Sequence, residues 1–224
     1  MRLSAHQLQY MPGLRFFSKM KGSDLFIYLD DVQYEKREFQ NRNRIRTKDG
    51  RQYLTVPAMV KGKFSQNINT VEINSTREWR GEHLRAVKIN YARSKYLKEY
   101  LPALEALYAK NHVLLGELAS ATVAFLKDAF GIETPVRFSS EFKLASASTQ
   151  RLVDLCSAAG ADEYLSGAGA REYLDEELFV KSRIRLSWQD FNPLPYPQAF
   201  EGFMPDLSAL DLLLNCGPDS VKYL

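Results

Sequence analysis

The sequence predicts an α/β protein built on a parallel sheet, and three observations in its first 29 residues favour this class. A short apolar strand over 2–5 is followed by a Pro-Gly turn at 12–13 and by apolar residues at helical spacing over 14–21. A continuous apolar run then covers 25–29, as in a strand buried on both faces. Strand, helix and strand in this order form a βαβ unit, whose strands are normally parallel.

Polar segments follow both predicted strands, one from His6 to Tyr10 and the other from Asp30 to Tyr34. Parallel strands bring their carboxyl ends to one edge of the sheet, where α/β proteins bind ligands. We therefore expect a site at this edge, with His6, Asp30 and Asp31 as catalytic candidates. Histidine suits a general base or a phosphate ligand because its reference pKa lies near physiological pH. The substrate-binding candidates in these segments are Gln7, Gln9, Tyr10, Gln33 and Tyr34.

Each of these assignments has a structural alternative. The opening segment reads equally as a tight turn with exposed polar residues, in which His6 only caps the turn. One of the two aspartates is expected to tie its loop to neighbouring N–H groups.

An antiparallel hairpin is predicted next. Residues 41–46 alternate as in a strand, 48–50 carry a turn signal, and 52–56 form a second strand. Residues two apart share a face of a strand. One face would carry Asn41, Asn43 and Ile45, and the other Arg42, Arg44 and Arg46.

Three arginines on one face suit a phosphate or carboxylate, which guanidinium groups grip in a bidentate manner. We therefore expect Arg42 and Arg44 to bind an anionic substrate group and Asn41 and Asn43 to orient the substrate. An exposed basic strand and asparagines that only support the hairpin are the alternatives.

The middle of the chain, about 77–130, predicts a helical insert. A short strand is expected over 70–73, and Asn74 or Ser75 can cap the helix that follows. Further helices are predicted over 96–110 and 113–130. This section carries no motif with obvious chemistry, so we expect it to cover the sheet within one domain of residues 1–224.

The last third of the chain predicts the rest of the sheet. Strands are expected near 135–139 and 161–165, with a helix that Ser148 can cap between them. A loop with two glycines, Gly167 and Gly169, then follows Ser166, where backbone N–H groups could approach a ligand closely. A helix from Asp175, a strand over 184–188 and an apolar helix over 207–214 complete the predicted elements.

Composition narrows the class of function. The net charge of +3 is small and mixed in sign, which does not indicate a nucleic-acid partner. Three histidines and two cysteines are scattered along the chain, so a zinc site is not expected, whereas a carboxylate-bound magnesium stays open. We expect a cytoplasmic protein without a membrane span that acts on a small, anionic molecule.

The sequence resembles the WbqC-like family of bacterial surface-polysaccharide and secondary-metabolite gene clusters. The family's opening pattern is similar to residues 6–20, and the matching residues are His6, Gln7, Tyr10, Pro12, Phe17 and Lys19. Further blocks match at 29–34, 40–45, 79–91 and 164–175. Lys19 and Tyr173 enter the predicted substrate-binding set through these matches. The departures are Leu8 for proline, Gly13 for tryptophan, Arg15 for glycine and Phe39 for tryptophan.

This resemblance implies a biosynthetic transferase or ligase acting on a sugar- or amino-acid-derived substrate. A more distant similarity to pantothenate synthetase and the HIGH-signature superfamily implies a Rossmann-like core and ATP with Mg as candidate cofactor. Only His6 stands where that superfamily has paired histidines. The alternative is a non-catalytic module that binds a nucleotide-sugar or a carrier-bound intermediate.

Overall fold

A computed structural model describes residues 1–63 and 65–224 of the chain. The chain divides into two compact units. One, which we call the sheet unit, contains residues 1–7, 15–31 and 133–192; the other, the helical unit, contains 8–14, 32–132 and 193–224. The expectation of one domain over residues 1–224 stays a prediction.

The described residues form seven strands and seven α-helices. The strands are β1 (Arg2–Gln7), β2 (Leu25–Leu29), β3 (Arg42–Thr47), β4 (Gly50–Thr55), β5 (Val136–Phe138), β6 (Glu163–Ser166) and β7 (Arg185–Trp188). The helices are α1 (Leu14–Lys21), α2 (Trp79–Asn90), α3 (Leu97–Ala109), α4 (Leu115–Ala129), α5 (Ser148–Ala159), α6 (Glu176–Lys181) and α7 (Ala209–Cys216). No helix in the described part of the chain is both long and apolar enough to cross a membrane.

The sheet unit is built on a five-stranded sheet with the order β5-β2-β1-β6-β7. Every neighbouring pair is parallel, as the opening βαβ pattern predicts. The first strand is two residues longer than predicted, because His6 and Gln7 pair with Tyr28 and Leu29 of β2. These two polar residues therefore belong to the strand and not to the turn that follows it.

Side chains alternate between the two faces of this sheet. Leu3 and Ala5 of β1 belong to a buried core with Ile27 of β2, Val153 of α5 and Phe179 of α6. The other face carries aromatic contacts, which join α1 to the sheet. The ring of Phe16 lies 5.0 Å from that of Phe26 and 5.1 Å from that of His6. Helix α1 thus packs on the face that carries His6.

The helical unit contains the predicted hairpin, formed by β3 and β4, and the helices α2, α3, α4 and α7. The predicted strand over 70–73 is wrong. Residues Ile68–Thr70 form a 3-10 turn, and Glu72 and Ile73 make only isolated bridges. The predicted cap of α2 is also wrong, because the Glu78 side chain accepts the Gly81 N–H instead.

The later elements follow the prediction within a few residues, with one exception at a helix start. Ser148 is the first residue of α5 and has a φ of 51°, and Ala147 occupies the N-cap position without a side-chain bond. Asp175 caps α6 by accepting the Glu177 N–H at 3.0 Å. Acidic residues near a helix start are favourable to the helix dipole.

Candidate functional site

The carboxyl edge of the sheet unit gathers the ends of three neighbouring strands. Gln7 and Leu29 are opposite each other at the ends of β1 and β2, and Asp30 follows directly. On the other side of β1, β6 ends at Ser166, which pairs with Trp188 of β7. The order of the strands thus brings the predicted site residues His6, Asp30 and Ser166 to one edge of the sheet.

His6 lies partly buried at this edge and is held in one tautomer. Its Nδ1 lies 3.0 Å from the carbonyl oxygen of Gln7. Since a carbonyl only accepts hydrogen bonds, Nδ1 must carry the proton, and Nε2 of the neutral ring keeps its lone pair. Burial, together with the charge of Lys19, lowers the pKa of His6 to about 3. The imidazole is therefore neutral at physiological pH and presents an acceptor.

Lys19 is a buried lysine beside this histidine. It is only 5% exposed, and its Nζ donates a hydrogen bond to the carbonyl oxygen of Ala5 at 2.8 Å. Burial lowers its pKa to about 7. Among residues 1–63 and 65–224, no carboxylate forms an ion pair with it. With this pKa, Lys19 exchanges between an ammonium and a neutral amine near neutral pH, and its ammonium form favours the neutral form of nearby basic groups.

The two predicted catalytic aspartates are engaged with protein donors. Asp30 is buried and accepts from the Ser140 N–H at 3.0 Å, from the Ser140 hydroxyl at 2.7 Å and from the Ser139 hydroxyl at 3.1 Å. Asp31 pairs with Arg151 and also accepts from Ser139. Both carboxylates thus join the end of β2 to the segments that follow β5, whereas the structural alternative expected this of only one aspartate.

The glycine-containing loop leaves space around its backbone. Ser166 is buried, and its carbonyl accepts the Gln189 N–H at 2.7 Å. A Cβ built on Gly167 or Gly169 would meet no atom within 4 Å, and neither glycine has a positive φ. The conformation itself does not require glycine, so the open space is what these residues contribute. Tyr173, by contrast, is 74% exposed on the surface.

One pair of contacts at this edge has little signal in the sequence. Arg15 of α1 donates to the carbonyl of Phe191 at 2.8 Å, and Gln189 donates to the carbonyl of Arg15 at 2.9 Å. These bonds join the start of α1 to the segment after β7. The positions of Gln189 and Phe191, just after a predicted strand, are the signal that could have indicated them.

In the helical unit, Tyr10 is a core residue. It is fully buried, and its hydroxyl contacts His83 Nδ1 at 2.9 Å and the hydroxyl of Tyr108. Burial lowers the pKa of His83 to about 4, so this ring is neutral as well. Gln9 is partly exposed, and the exposed Gln33 forms an isolated bridge with Asn67.

Asn41 and Asn43 are buried and support the hairpin backbone. Asn41 Nδ2 donates to the Val56 carbonyl at 2.8 Å, and Asn43 Nδ2 donates to the Met11 carbonyl at 2.7 Å. The Asn43 side-chain oxygen accepts the Arg44 N–H. Their amide nitrogens therefore serve the fold, whereas Asn41 Oδ1 is buried without a partner among the described residues, and a role of both in orienting a substrate stays a prediction.

Two of the three arginines predicted to share one face of the hairpin lie over an aromatic ring, and the third is covered by other residues. Arg42 and Arg44 lie over the ring of Tyr53, with guanidinium carbons 4.5 and 5.4 Å from its centroid. Arg46 is 7% exposed, and its guanidinium donates to the carbonyls of Glu201 and Gly50. Strand alternation predicts the side of the sheet but does not predict that residues near 201 cover Arg46.

The predicted site residues divide between the two units. The sheet unit contains His6, Gln7, Lys19, Asp30, Asp31, Ser166, Gly167, Gly169 and Tyr173. The helical unit contains Gln9, Tyr10, Gln33, Tyr34, Asn41, Arg42, Asn43 and Arg44. Of the residues that the structure describes, no three His, Cys, Asp or Glu side chains are grouped as metal ligands. That all these residues form one site stays a prediction.

Comparison with known proteins decides the family. The sequence profile of the WbqC-like protein family matches residues 7–223, which is nearly the whole chain. The chain belongs to the WbqC-like protein family. It is also 39% identical over 220 residues to the uncharacterized protein Rv1507c of Mycobacterium tuberculosis, covering 97% of this chain and 95% of that protein. No solved structure matches this chain.

The structure gives a physical reason for one departure from the WbqC-like opening pattern. A Cβ on Gly13 would lie 3.1 Å from the carbonyl oxygen of Leu207, and Gly13 also bridges Ser208. A tryptophan there would displace this part of the backbone. Leu8, which replaces the proline of the pattern, is buried and reaches α4 near Gly116.

Proposed function

We propose that this WbqC-like protein is a biosynthetic transferase or ATP-dependent ligase. Its substrate would be a sugar- or amino-acid-derived molecule in surface-polysaccharide or secondary-metabolite synthesis, handled in the cytoplasm. The observation that supports this most is the neutral His6 at the end of the central strand, with Nε2 as an acceptor.

We also infer a Rossmann-like core. Numbered along the chain, the five strands of the sheet have the order 3-2-1-4-5. In doubly wound sheets of this order, ligands bind outside the carboxyl ends of the strands, where the order reverses. Here that reversal falls between β1 and β6, and the strand ends are Gln7 and Ser166. This strand order favours the sheet edge as the substrate site.

His6 would orient a hydroxyl or amine of the substrate through Nε2. A pKa of about 3 makes the free histidine a weak base. A negative charge bound beside the ring would raise its pKa, since opposite charges favour the imidazolium form. Basicity would then develop only in the substrate complex. Lys19 would offset part of the same negative charge.

ATP enters this proposal as a co-substrate, which would be consumed to AMP and pyrophosphate during acyl or amide formation. The similarity to the HIGH-signature superfamily supports it. The fit to magnesium is poor, because Asp30 and Asp31 already accept from Ser139, Ser140 and Arg151. No step is therefore assigned to a protein-bound metal.

The second candidate is a non-catalytic module for a nucleotide-sugar or a carrier-bound intermediate. The engaged aspartates favour it, because neither of them is left in the free protein as a free carboxylate to act as general base. The altered opening segment at Leu8 and Gly13 favours it as well.

The two candidates differ in turnover. The protein is incubated with ATP and a panel of amines and carboxylates derived from sugars and amino acids, and AMP and pyrophosphate are measured. We expect release with at least one pair, lost in His6→Ala but kept in the control His112→Ala, with unchanged circular dichroism in both. Binding of panel compounds without release of AMP and pyrophosphate would favour the second candidate. Full activity in His6→Ala would exclude a role of His6 in the reaction.

A further inference from the structure

The hairpin of the helical unit carries two arginines that the fold does not use as ion pairs. Arg44 is opposite Tyr53 in the β3–β4 register, and its Nε donates to the Tyr53 hydroxyl at 3.0 Å. Arg42, two residues earlier, lies over the same ring, and Arg44 also lies 5.1 Å from the centroid of Phe39. Stacking on aromatic faces fixes guanidinium planes in advance and lowers the entropic cost of binding.

These two cations lack acidic partners within the described ranges 1–63 and 65–224. No Asp or Glu oxygen there lies within 4.0 Å of either guanidinium. Arg42 donates one bond to the Arg37 carbonyl, and its Nε is buried without a partner. Arg46 on the same strand differs at its two terminal nitrogens, which donate to the backbone carbonyls of Gly50 and Glu201, although its Nε, like that of Arg42, has no partner among the described residues. Two charges are thus held against one ring, with guanidinium carbons 4.5 and 5.4 Å from its centroid and with donors left over.

We propose that Arg42, Arg44 and Tyr53 form a binding site for the phosphate monoester group of a small ligand. The two guanidinium charges match the charge of about −2 that a phosphate monoester carries at neutral pH. A phosphate monoester has three acceptor oxygens and can accept from the remaining terminal N–H groups of two guanidiniums. A carboxylate has two oxygens, which a single fork already satisfies. The pair therefore selects phosphate over carboxylate.

The buried Tyr34 is close enough to Arg42 for the arginine charge to act on its hydroxyl. The residue is 8% exposed, burial raises the pKa of its hydroxyl, and the charge of Arg42 acts on it in the opposite sense. The hydroxyl therefore stays protonated at neutral pH within electrostatic reach of Arg42. The site depends only on residues of the helical unit and does not rest on the proposed transferase activity.

Calorimetric titration of the full chain at constant ionic strength tests the site with four probes: inorganic phosphate, glucose 1-phosphate, uridine 5′-monophosphate and acetate. We expect saturable binding of the phosphate-bearing probes and at least about tenfold weaker binding of acetate. Tighter binding of one ester than of the other identifies the source of the phosphate as a sugar phosphate or a nucleotide, and both results support the site. Failure of all three phosphates to bind, or acetate binding as tightly, overturns it.

Variants test whether phosphate binding depends on this site or only on the positive charge of the protein surface. Arg44→Met and Arg42→Met should each weaken phosphate binding about tenfold to a hundredfold, the effect of losing a charge-assisted hydrogen bond. Arg44→Lys keeps the charge without the fork and should reduce the preference over acetate. Arg85→Met, at an exposed arginine of α2, is the matched control. An equal loss in Arg85→Met would contradict the proposal.

His6→Ala distinguishes this site from the proposed activity, because it should leave phosphate binding unchanged. Circular dichroism on each variant checks the fold, and Tyr53→Phe gives a second, milder change. It keeps the ring under both arginines but removes the bond from Arg44 Nε, so phosphate affinity should fall by less than in Arg44→Met. A loss as large as that of Arg44→Met would contradict the role given to the ring.

Discussion

Replacing Asp30 by alanine separates a structural aspartate from a catalytic one. The buried carboxylate accepts from the hydroxyl and the N–H of Ser140, and it shares the hydroxyl of Ser139 with Asp31. Alanine leaves the two Ser140 donors without this acceptor, whereas the Ser139 hydroxyl keeps Asp31. We expect a loss of about 2–4 kcal/mol in the free energy of unfolding, since the Ser140 hydroxyl can turn elsewhere but the backbone N–H cannot. For a chain of this length, the melting temperature should fall by about 5–15 °C.

Thermal and urea unfolding, followed by circular dichroism, measure this loss. Asp30→Asn keeps one acceptor oxygen and should lose only about 1 kcal/mol. Asp190→Ala, at an exposed aspartate of the same unit, is the control and should unfold like the wild type. If Asp30→Ala melts like the wild type while turnover disappears, the structural reading is wrong and Asp30 is catalytic.

Three further changes test the buried ionisable groups. Lys19→Met removes a positive charge, so the pKa of His6, followed by NMR of its ring, should rise from about 3 while burial keeps it below 6.5; an unchanged pKa would mean that Lys19 has no influence. The unfolded chain binds a proton on His6 near pH 6.5 and the folded chain only near 3, so stability should fall as pH falls through this window, by up to about 1.4 kcal/mol per pH unit. Urea unfolding at several pH values gives the free energy of unfolding as a function of pH. The slope of this free energy against pH should be smaller for His6→Gln than for the wild type, and an equal slope would refute this. Tyr10→Phe removes the hydroxyl between His83 and Tyr108 and should lower the free energy of unfolding by about 1–2 kcal/mol in the same assay, whereas wild-type stability would contradict the buried bond.

Local patterns in the sequence were sufficient for the elements with strong periodicity. The helix over 14–21 and the strand over 25–29 have the predicted bounds, because apolar spacing and a continuous apolar run are properties of consecutive residues. The strand predicted at 70–73 failed because its backbone forms only isolated bridges with residues distant in the sequence.

The chemistry of the candidate residues depended on contacts that no local pattern contains. Asp30 contacts Ser139, which is 109 residues away, and Arg46 contacts Glu201, which is 155 residues away. Arg42, Arg44 and Arg46 share one alternation in the sequence, yet the terminal nitrogens of Arg46 are bonded to backbone carbonyls while Arg42 and Arg44 lie over Tyr53. Residue type and spacing therefore predict where a polar side chain emerges and not whether the fold already uses it.

The central claim is that neutral His6 offers Nε2 to the substrate at the sheet edge. Two-bond ¹H–¹⁵N correlation spectra of the His6 ring, recorded with and without a compound that the protein turns over, test it most directly. We predict the Nδ1-protonated tautomer in the free protein and a shift of the Nε2 resonance when the compound is added. A proton on Nε2 in the free protein, or an Nε2 resonance that a saturating compound leaves unchanged, would contradict the account.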